Sequence, residues 1–105
     1  MITGHTGFKG GWLGFWLNRL GASVHGLSLD PPTKENLFEI VGSSFATDNR
    51  IDIRNPEEVA RLVERVQPEF VFHLAAQPIV KESYRSPVDT MSTNVIGTAH
   101  LLEAV

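Results

Sequence analysis

Gly4, Gly7 and Gly10 fall at spacings of three and three in Thr3-Gly4-His5-Thr6-Gly7-Phe8-Lys9-Gly10, between an opening strand stump, Met1-Ile2-Thr3, and an amphipathic run. This feature constrains the fold more than any other. Gly4 permits a sharp turn off the strand. Gly7 removes a side chain where backbone must come close to a diphosphate, and Gly10 lets the following helix pack closely. The free amides of Phe8 and Lys9 then point at phosphate from the positive end of the helix. A plain tight turn is the competing reading, and the flanking strand and helix favour the phosphate site. Lys9 reads equally as a phosphate contact and as a surface charge. Trp12 and Trp16, four apart on one helix, read as core packing.

The remaining pattern alternates short apolar runs with helical periodicity. Trp12, Leu13, Phe15, Trp16, Leu17 and Leu20 give a helix ended by Gly21. Residues 23 to 29 read as a second strand closed by Asp30-Pro31-Pro32, and 33 to 48 as a long link with a helical turn at 37 to 41. A third strand is expected over 50 to 53. Asn55 caps a helix with Pro56 first and Glu57 and Glu58 in the first turn; Val59, Leu62, Val63 and Val66 supply its buried stripe. Phe70 to Leu74 is expected as a central strand covered on both faces. A last helix opens at Ser86-Pro87, with Val88, Met91, Val95, Thr98, Leu102 and Val105 along one side. The order predicts an α/β fold: a partial doubly wound parallel sheet, Rossmann-like, with helices on both faces.

Further candidates sit at strand ends, where open α/β sheets bind ligands. Asp30, about 20 residues past Gly10, can accept hydrogen bonds from ribose hydroxyls and repel a 2′-phosphate, favouring NAD over NADP. A turn aspartate before proline is the alternative, and Lys34 nearby leaves NADP open. Asp52 is either a turn residue or an acceptor for an adenine amine, with Ile53 behind the ring. Leu74-Ala75-Ala76 offers small residues where a ligand passes the backbone. Asn94, at the edge of an apolar stripe, needs partners: it bridges helix to strand, supports a water relay, or does both.

Composition excludes other classes. The chain has 105 residues, 42% of them hydrophobic and 20% charged, with net charge −3. That is enough apolar material for a core and leaves no positive field for nucleic acid. No apolar run is long enough to span a bilayer, and no secretory signal is visible. Cysteine is absent, which fits a cytoplasmic protein. The four histidines share no metal-ligand spacing, so no metal is expected.

Thr3-Gly4, Gly7-Phe8, Gly10, Asp30, Asp52-Ile53-Arg54, His73-Leu74-Ala75-Ala76 and Asn94-Val95-Ile96-Gly97-Thr98 together resemble the extended short-chain dehydrogenase/reductase superfamily. Trp12-Leu13, Pro31-Pro32-Thr33, Leu37-Phe38-Glu39, Ala75-Ala76-Gln77-Pro78, Glu82-Ser83-Tyr84 and Pro87 narrow the likeness to its CDP-glucose 4,6-dehydratases. The resemblance implies a lyase that converts CDP-glucose to CDP-4-keto-6-deoxyglucose through transient oxidation by bound NAD. Other implied activities are a nucleotide-sugar epimerase, a GDP-mannose dehydratase or a non-catalytic dinucleotide-binding fragment. It implies Gly4, Thr6, Gly7, Phe8, Lys9 and Gly10 around the diphosphate, Asp30 at the ribose, and Asp52 and Ile53 at the adenine. Leu74 to Gln77 then run beside the cofactor, supported by Asn94. Residues 1 to 105 are expected to be the N-terminal part of an NAD-binding Rossmann domain of a homo-oligomer acting on a nucleotide sugar. The superfamily's Tyr-x-x-x-Lys pair is missing, since Val88 follows Tyr84 by four. The pair activates the proton acceptor for hydride removal, so these residues alone are not expected to turn over. A substrate domain is expected elsewhere.

Overall fold

The computed structural model describes all 105 residues. Four parallel strands lie in the order β3-β2-β1-β4: β1 Ile2–Thr3, β2 His25–Ser28, β3 Thr47–Arg50 and β4 Phe72–His73. Ile2 pairs with Gly26 on one side and Phe72 on the other, so the first strand is one of the two inner strands. Side-chain alternation then divides the core. Met1 and Leu27 face Ile53, Val59, Leu62, Val63 and Leu101. Ile2 and Val24 face Phe45, Leu13, Leu17 and Phe38. Helices therefore cover both faces, as the alternating pattern predicts.

The first helix, α1, runs Phe8–Arg19, and Gly21 follows it with φ +90°. Its buried residues are Gly10, Gly11 and Gly14, whereas Trp12 is half exposed and Trp16 is 62% exposed. Core packing of the tryptophans is therefore corrected. The helix lies so near the layer beneath it that only hydrogen fits there: a Cβ on Gly14 would run into the Phe45 ring. The indoles consequently fall on the opposite side.

The link after β2 holds a short helix, α2 (Phe38–Val41), and a 3₁₀ turn, Gly42–Ser44. The expected third strand at 50 to 53 instead occupies Thr47–Arg50. Backbone pairing does not require apolar side chains, and at an exposed edge these four polar residues keep theirs for hydrogen bonds. The next helix, α3, is Pro56–Val66. The Asn55 side chain accepts from the Glu58 amide at 3.3 Å and donates to the Glu58 carboxylate at 3.0 Å. Such a reciprocal cap contributes about 1 kcal/mol.

The expected double cover of the fourth strand is also corrected. Of the expected residues 70 to 74 only Phe72–His73 form β4, which within these residues pairs only with β1 and leaves Phe72 39% exposed. The last helical region is three pieces after a further helix, α4 (Val80–Arg85). They are α5 (Pro87–Met91), a π-helical turn (Ser92–Ile96) and α6 (Gly97–Ala104). Val88, Met91, Val95, Leu102 and Val105 are exposed, while Gly97 and Leu101 carry the packing. Val88 and Met91 lie before the π turn and are exposed as well, so the apolar stripe is not the packed side on either side of it. Gly97 lies where a Cβ would come within 2.6 Å of Ile53, which sets the face α6 presents to the core.

Candidate functional site

The glycine turn is built as its sequence demands. Gly4 has φ +74°, and a Cβ there would lie 2.7 to 2.8 Å from the Leu74–Ala75 backbone. Two requirements thus fall on one residue, a left-handed conformation and a close backbone approach. A Cβ on Gly10 would strike the Gly4 carbonyl and sit 2.7 Å from the His5 Cα. A Cβ on Gly7 would meet only the Gly4 carbonyl, at 3.3 Å, so its flank faces open space. The Gly7 amide bonds the Gly4 carbonyl at 3.1 Å, and α1 begins with the Gly11 amide on the Gly7 carbonyl at 2.8 Å. The Phe8, Lys9 and Gly10 amides have no protein acceptor. They are three donors at the positive end of a helix.

These donors open into a cleft of about 780 Å³. Of the residues singled out from sequence, Gly4, Thr6, Gly7, Phe8, Lys9 and Gly10 line it from the turn. Asp30 lines it from the end of β2, Asp52 and Ile53 from beyond β3, and Leu74, Ala75 and Ala76 from beyond β4. Gln77 and Asn94 do not line it and stand behind it as a pair. Four chain segments far apart in sequence converge here at the carboxyl ends of the strands.

Each polar group has defined partners. Thr6 Oγ1 meets Ser28 Oγ at 2.8 Å and donates to the Leu29 carbonyl at 3.0 Å, stapling the turn to β2. Asp30 is 89% exposed at the rim, with one oxygen 3.5 Å from Arg50. Asp52 accepts the Arg54 Nη2 at 2.6 Å, its Nε at 3.0 Å and its backbone amide at 2.9 Å. These hydrogen bonds hold the Asp52 carboxyl below its ordinary pKa and raise that of Arg54. Asp52 is therefore ionised and fixed in direction. Arg54 also reaches Asp89 at 3.7 Å, tying α5 to the cleft floor.

His5 and His73 are buried parts of the same architecture. His5 is fully buried against Phe38 and Phe45, with Nε2 2.8 Å from Asp48 Oδ1. A carboxylate only accepts, so the proton is on Nε2, and Nδ1 has no hydrogen-bond partner. Burial pushes the His5 pKa down, opposed by the Asp48 hydrogen bond. Thr3 Oγ1 accepts the Leu74 and Ala75 amides at 3.0 and 3.1 Å, so its own proton goes to His73 Nδ1 at 2.6 Å. His73 therefore carries its proton on Nε2 and donates to Thr98 at 2.9 Å, which donates to the Asn94 carbonyl at 2.7 Å. Burial lowers the His73 pKa as well. Sequence reasoning gave neither histidine a role, nor Arg50, Arg54 or Asp89. The position of Arg54 two residues past Asp52 was the only local signal.

Asn94 closes the chain of contacts. Its side-chain oxygen accepts the Gln77 amide at 2.8 Å, and its nitrogen donates to the Gln77 carbonyl at 3.1 Å. From within the π turn Asn94 thus bridges to the backbone of the loop after β4, where a bridge from helix to strand was one of the expectations. Replacing Asn94 by Ala leaves both backbone groups half-buried and unpaired, at a cost of about 1 to 3 kcal/mol. Hydrogen exchange at the Gln77 amide is expected to accelerate at least tenfold. Unchanged exchange there would show that the clamp does not hold the 74 to 79 loop.

Known proteins resemble the chain throughout. A family model described as GDP-mannose 4,6 dehydratase matches residues 1–105. The chain is 52% identical over 105 residues to CDP-glucose 4,6-dehydratase of Salmonella typhimurium, a match that covers 99% of this chain and 29% of that protein. It is 33% identical over 115 residues to a GDP-mannose 4,6-dehydratase of Vibrio cholerae, covering 100% of this chain and 30% of that one. Among solved structures, UDP-glucose 4-epimerase of Thermotoga maritima, with UDP-glucose, superposes with a TM-score of 0.82 at 31% identity. The UDP-glucose 4-epimerase of Thermus thermophilus, in complex with NAD, gives 0.74 at 32%. Each match covers 98% of this chain and 32% of the solved one. The chain spans about a third of the length of these relatives. With the family model matched from the first residue to the last, and the same α/β fold in the solved relatives, the chain belongs to the GDP-mannose 4,6-dehydratase family.

Proposed function

We propose that residues 1 to 105 are the N-terminal, NAD-binding part of a nucleotide-sugar 4,6-dehydratase that takes CDP-glucose. One observation carries the reading: three unpaired amides at the start of α1 open into the same cleft as Asp30 and the fixed carboxylate of Asp52. This donor set fits a dinucleotide. The amides of Phe8, Lys9 and Gly10 bind the diphosphate, helped by the open flank at Gly7. Asp30 takes the hydroxyls of the adenosine ribose, and Asp52 takes the adenine amine with Ile53 behind the ring. Leu74, Ala75, Ala76 and Gln77 run beside the other half, held in place by Asn94.

NAD, when bound, supplies a hydride acceptor for carbon four of the sugar and returns the hydride later. Oxidation of the 4-hydroxyl to a ketone acidifies the proton on carbon five. Loss of that proton and the 6-hydroxyl as water gives an unsaturated ketone. Held by the Phe8, Lys9 and Gly10 amides, Asp30 and Asp52, NAD would supply the returning hydride to carbon six, and with a proton at carbon five the product would be CDP-4-keto-6-deoxyglucose. The chain's own share is binding and orientation. Within these residues Tyr84 is followed four later by Val88, so no Tyr-x-x-x-Lys pair is available to accept the first proton.

The choice of CDP-glucose rests on the relative at 52% identity. The solved epimerases favour a second reading, a nucleotide-sugar 4-epimerase, which begins with the same oxidation. The parent protein is read as a cytoplasmic homo-oligomer; no helix here is long and apolar enough to cross a membrane.

Incubating the full-length protein with CDP-glucose, UDP-glucose and GDP-mannose separates the readings. Loss of one water from CDP-glucose by mass spectrometry is the expected result. Isomerisation of a UDP-sugar at unchanged mass would establish the epimerase instead. Calorimetric titration with NAD tests the binding step itself, and absence of heat and of any thermal shift would refute it.

A further inference from the structure

Beside the rim of the cleft, Arg50 holds a position that neither the diphosphate nor the adenine explains. Its Nη1 lies 3.5 Å from Asp30 and donates to the Leu29 carbonyl at 3.1 Å. Its Nη2 donates to Asp48 at 2.7 Å. The guanidinium stands 5.0 Å over the Phe38 ring. Phe38 in turn packs edge-on against His5, whose Nε2 donates to the other oxygen of Asp48. Arg50 is thus fixed by a closed ring of contacts reaching back to the glycine turn, yet its side chain is one-third exposed. A guanidinium has five N–H donors, and the contacts named here leave some of them free.

The charges around Arg50 decide what it can hold. Asp30 and Asp48 supply two carboxylates against one guanidinium, and His5 is neutral, so the cluster is net negative. A second anion beside Asp30 is therefore repelled. With the Asp30 charge gone, the cluster would be neutral and would present a preformed planar cation to whatever occupied the ribose position. Arginine takes phosphate bidentately, with a geometry lysine cannot copy.

We propose that Arg50 is a specificity-determining residue of the dinucleotide site, masked by Asp30, and that this pair sets acceptance of a ribose 2′-hydroxyl over a 2′-phosphate. The inference rests on the dinucleotide reading above. Asp30 acts twice, as acceptor for the hydroxyl and as the counter-charge that withholds Arg50 from phosphate.

The test is titration of NAD and NADP into the full-length protein, stripped of bound nucleotide, and into its variants. The unaltered protein is expected to prefer NAD by at least a hundredfold. Asp30→Asn, at an exposed side chain, is expected to raise NADP affinity at least tenfold. Adding Arg50→Met, which keeps the stem over Phe38, is expected to abolish that gain, and Arg50→Lys to keep only part of it. No gain in Asp30→Asn overturns the proposal whether or not the double variants fold. A gain that survives loss of Arg50 also overturns it, since the phosphate contact then lies elsewhere. Failure of the unaltered protein to bind either dinucleotide removes the underlying reading and this proposal with it.

Discussion

Replacing Gly4 with Ala is expected to lower stability by about 2 to 6 kcal/mol and to weaken NAD binding by at least about tenfold. Two costs add at this position. A side chain at φ +74° is strained by about 1 to 3 kcal/mol. Its Cβ would also lie inside contact distance of the Leu74 and Ala75 backbone, and overpacking against groups that cannot swing away costs about 1 to 3 kcal/mol more. The turn must shift to make room, and it is the turn that aims the Phe8, Lys9 and Gly10 amides. Hydrogen bonds to a charged group are worth about 1.5 to 3 kcal/mol each, so misaiming one or two accounts for the loss of affinity.

Gly21 supplies the control. It also has positive φ, at +90°, but a Cβ there meets nothing within 4 Å. Gly21→Ala is therefore expected to cost the backbone strain alone, about 1 to 3 kcal/mol, and to leave NAD affinity unchanged. Denaturant unfolding and calorimetry of both variants check this. Equal losses at the two positions would mean that backbone strain alone, and not the close approach, governs the turn.

Mild acid is expected to destabilise the protein steeply. Burial holds the pKa values of His5 and His73 below the ordinary histidine value of about 6.5. Both are neutral in the fold, each with its proton on Nε2. At pH 7 and above they are largely neutral in the unfolded chain too, and contribute nothing to pH dependence. As pH falls below about 6.5 the unfolded chain takes up protons that the folded state refuses, so stability declines. The limit is about 1.4 kcal/mol per pH unit for each histidine, and the decline ends once pH passes the folded pKa. A second proton on His73 would also turn Nδ1 into a donor facing the Thr3 hydroxyl, which already accepts two amides.

Asp52 acts in a different range. Its folded pKa is depressed, so its contribution is present above the unfolded value and is lost as pH falls below that through the folded value. It does not contribute between pH 5 and 7. Urea midpoints measured at pH 7.5, 6 and 5 are expected to fall together at constant slope. His73→Gln is expected to flatten the dependence while leaving that of His5. Midpoints that do not move between pH 7.5 and 5 would show that the buried histidines bind protons freely in the fold.

Local chemistry was legible where one residue answers to one constraint. Positive φ at Gly4 and Gly21, the Asn55 cap with Pro56, and the buried Val59, Leu62 and Val63 all follow from residue type and spacing. The α/β order follows too, because alternating strand and helix periodicities admit few topologies. The tight glycine turn was legible for the same reason: its three glycines are close to one another in sequence, and their spacing is their geometry.

Tertiary structure decided everything that depends on distance across the fold. The sequence ranks tryptophan above glycine for burial. Yet α1 buries Gly10, Gly11 and Gly14 and leaves Trp16 outside, because the neighbouring layer approaches too closely for side chains. Hydropathy could not place β3 at Thr47–Arg50, since an edge strand pairs through backbone and spends its polar side chains elsewhere. The packed side of α6 is set by the close approach of Gly97 to Ile53 and not by the apolar stripe. The partners of His5 and His73 come from strands and helices up to 70 residues away in sequence, and no spacing rule encodes them. Composition and periodicity fix the alternating order of strands and helices. Which side chains meet at the carboxyl ends of those strands is set only when the sheet closes and desolvation forces each buried polar group to find a partner.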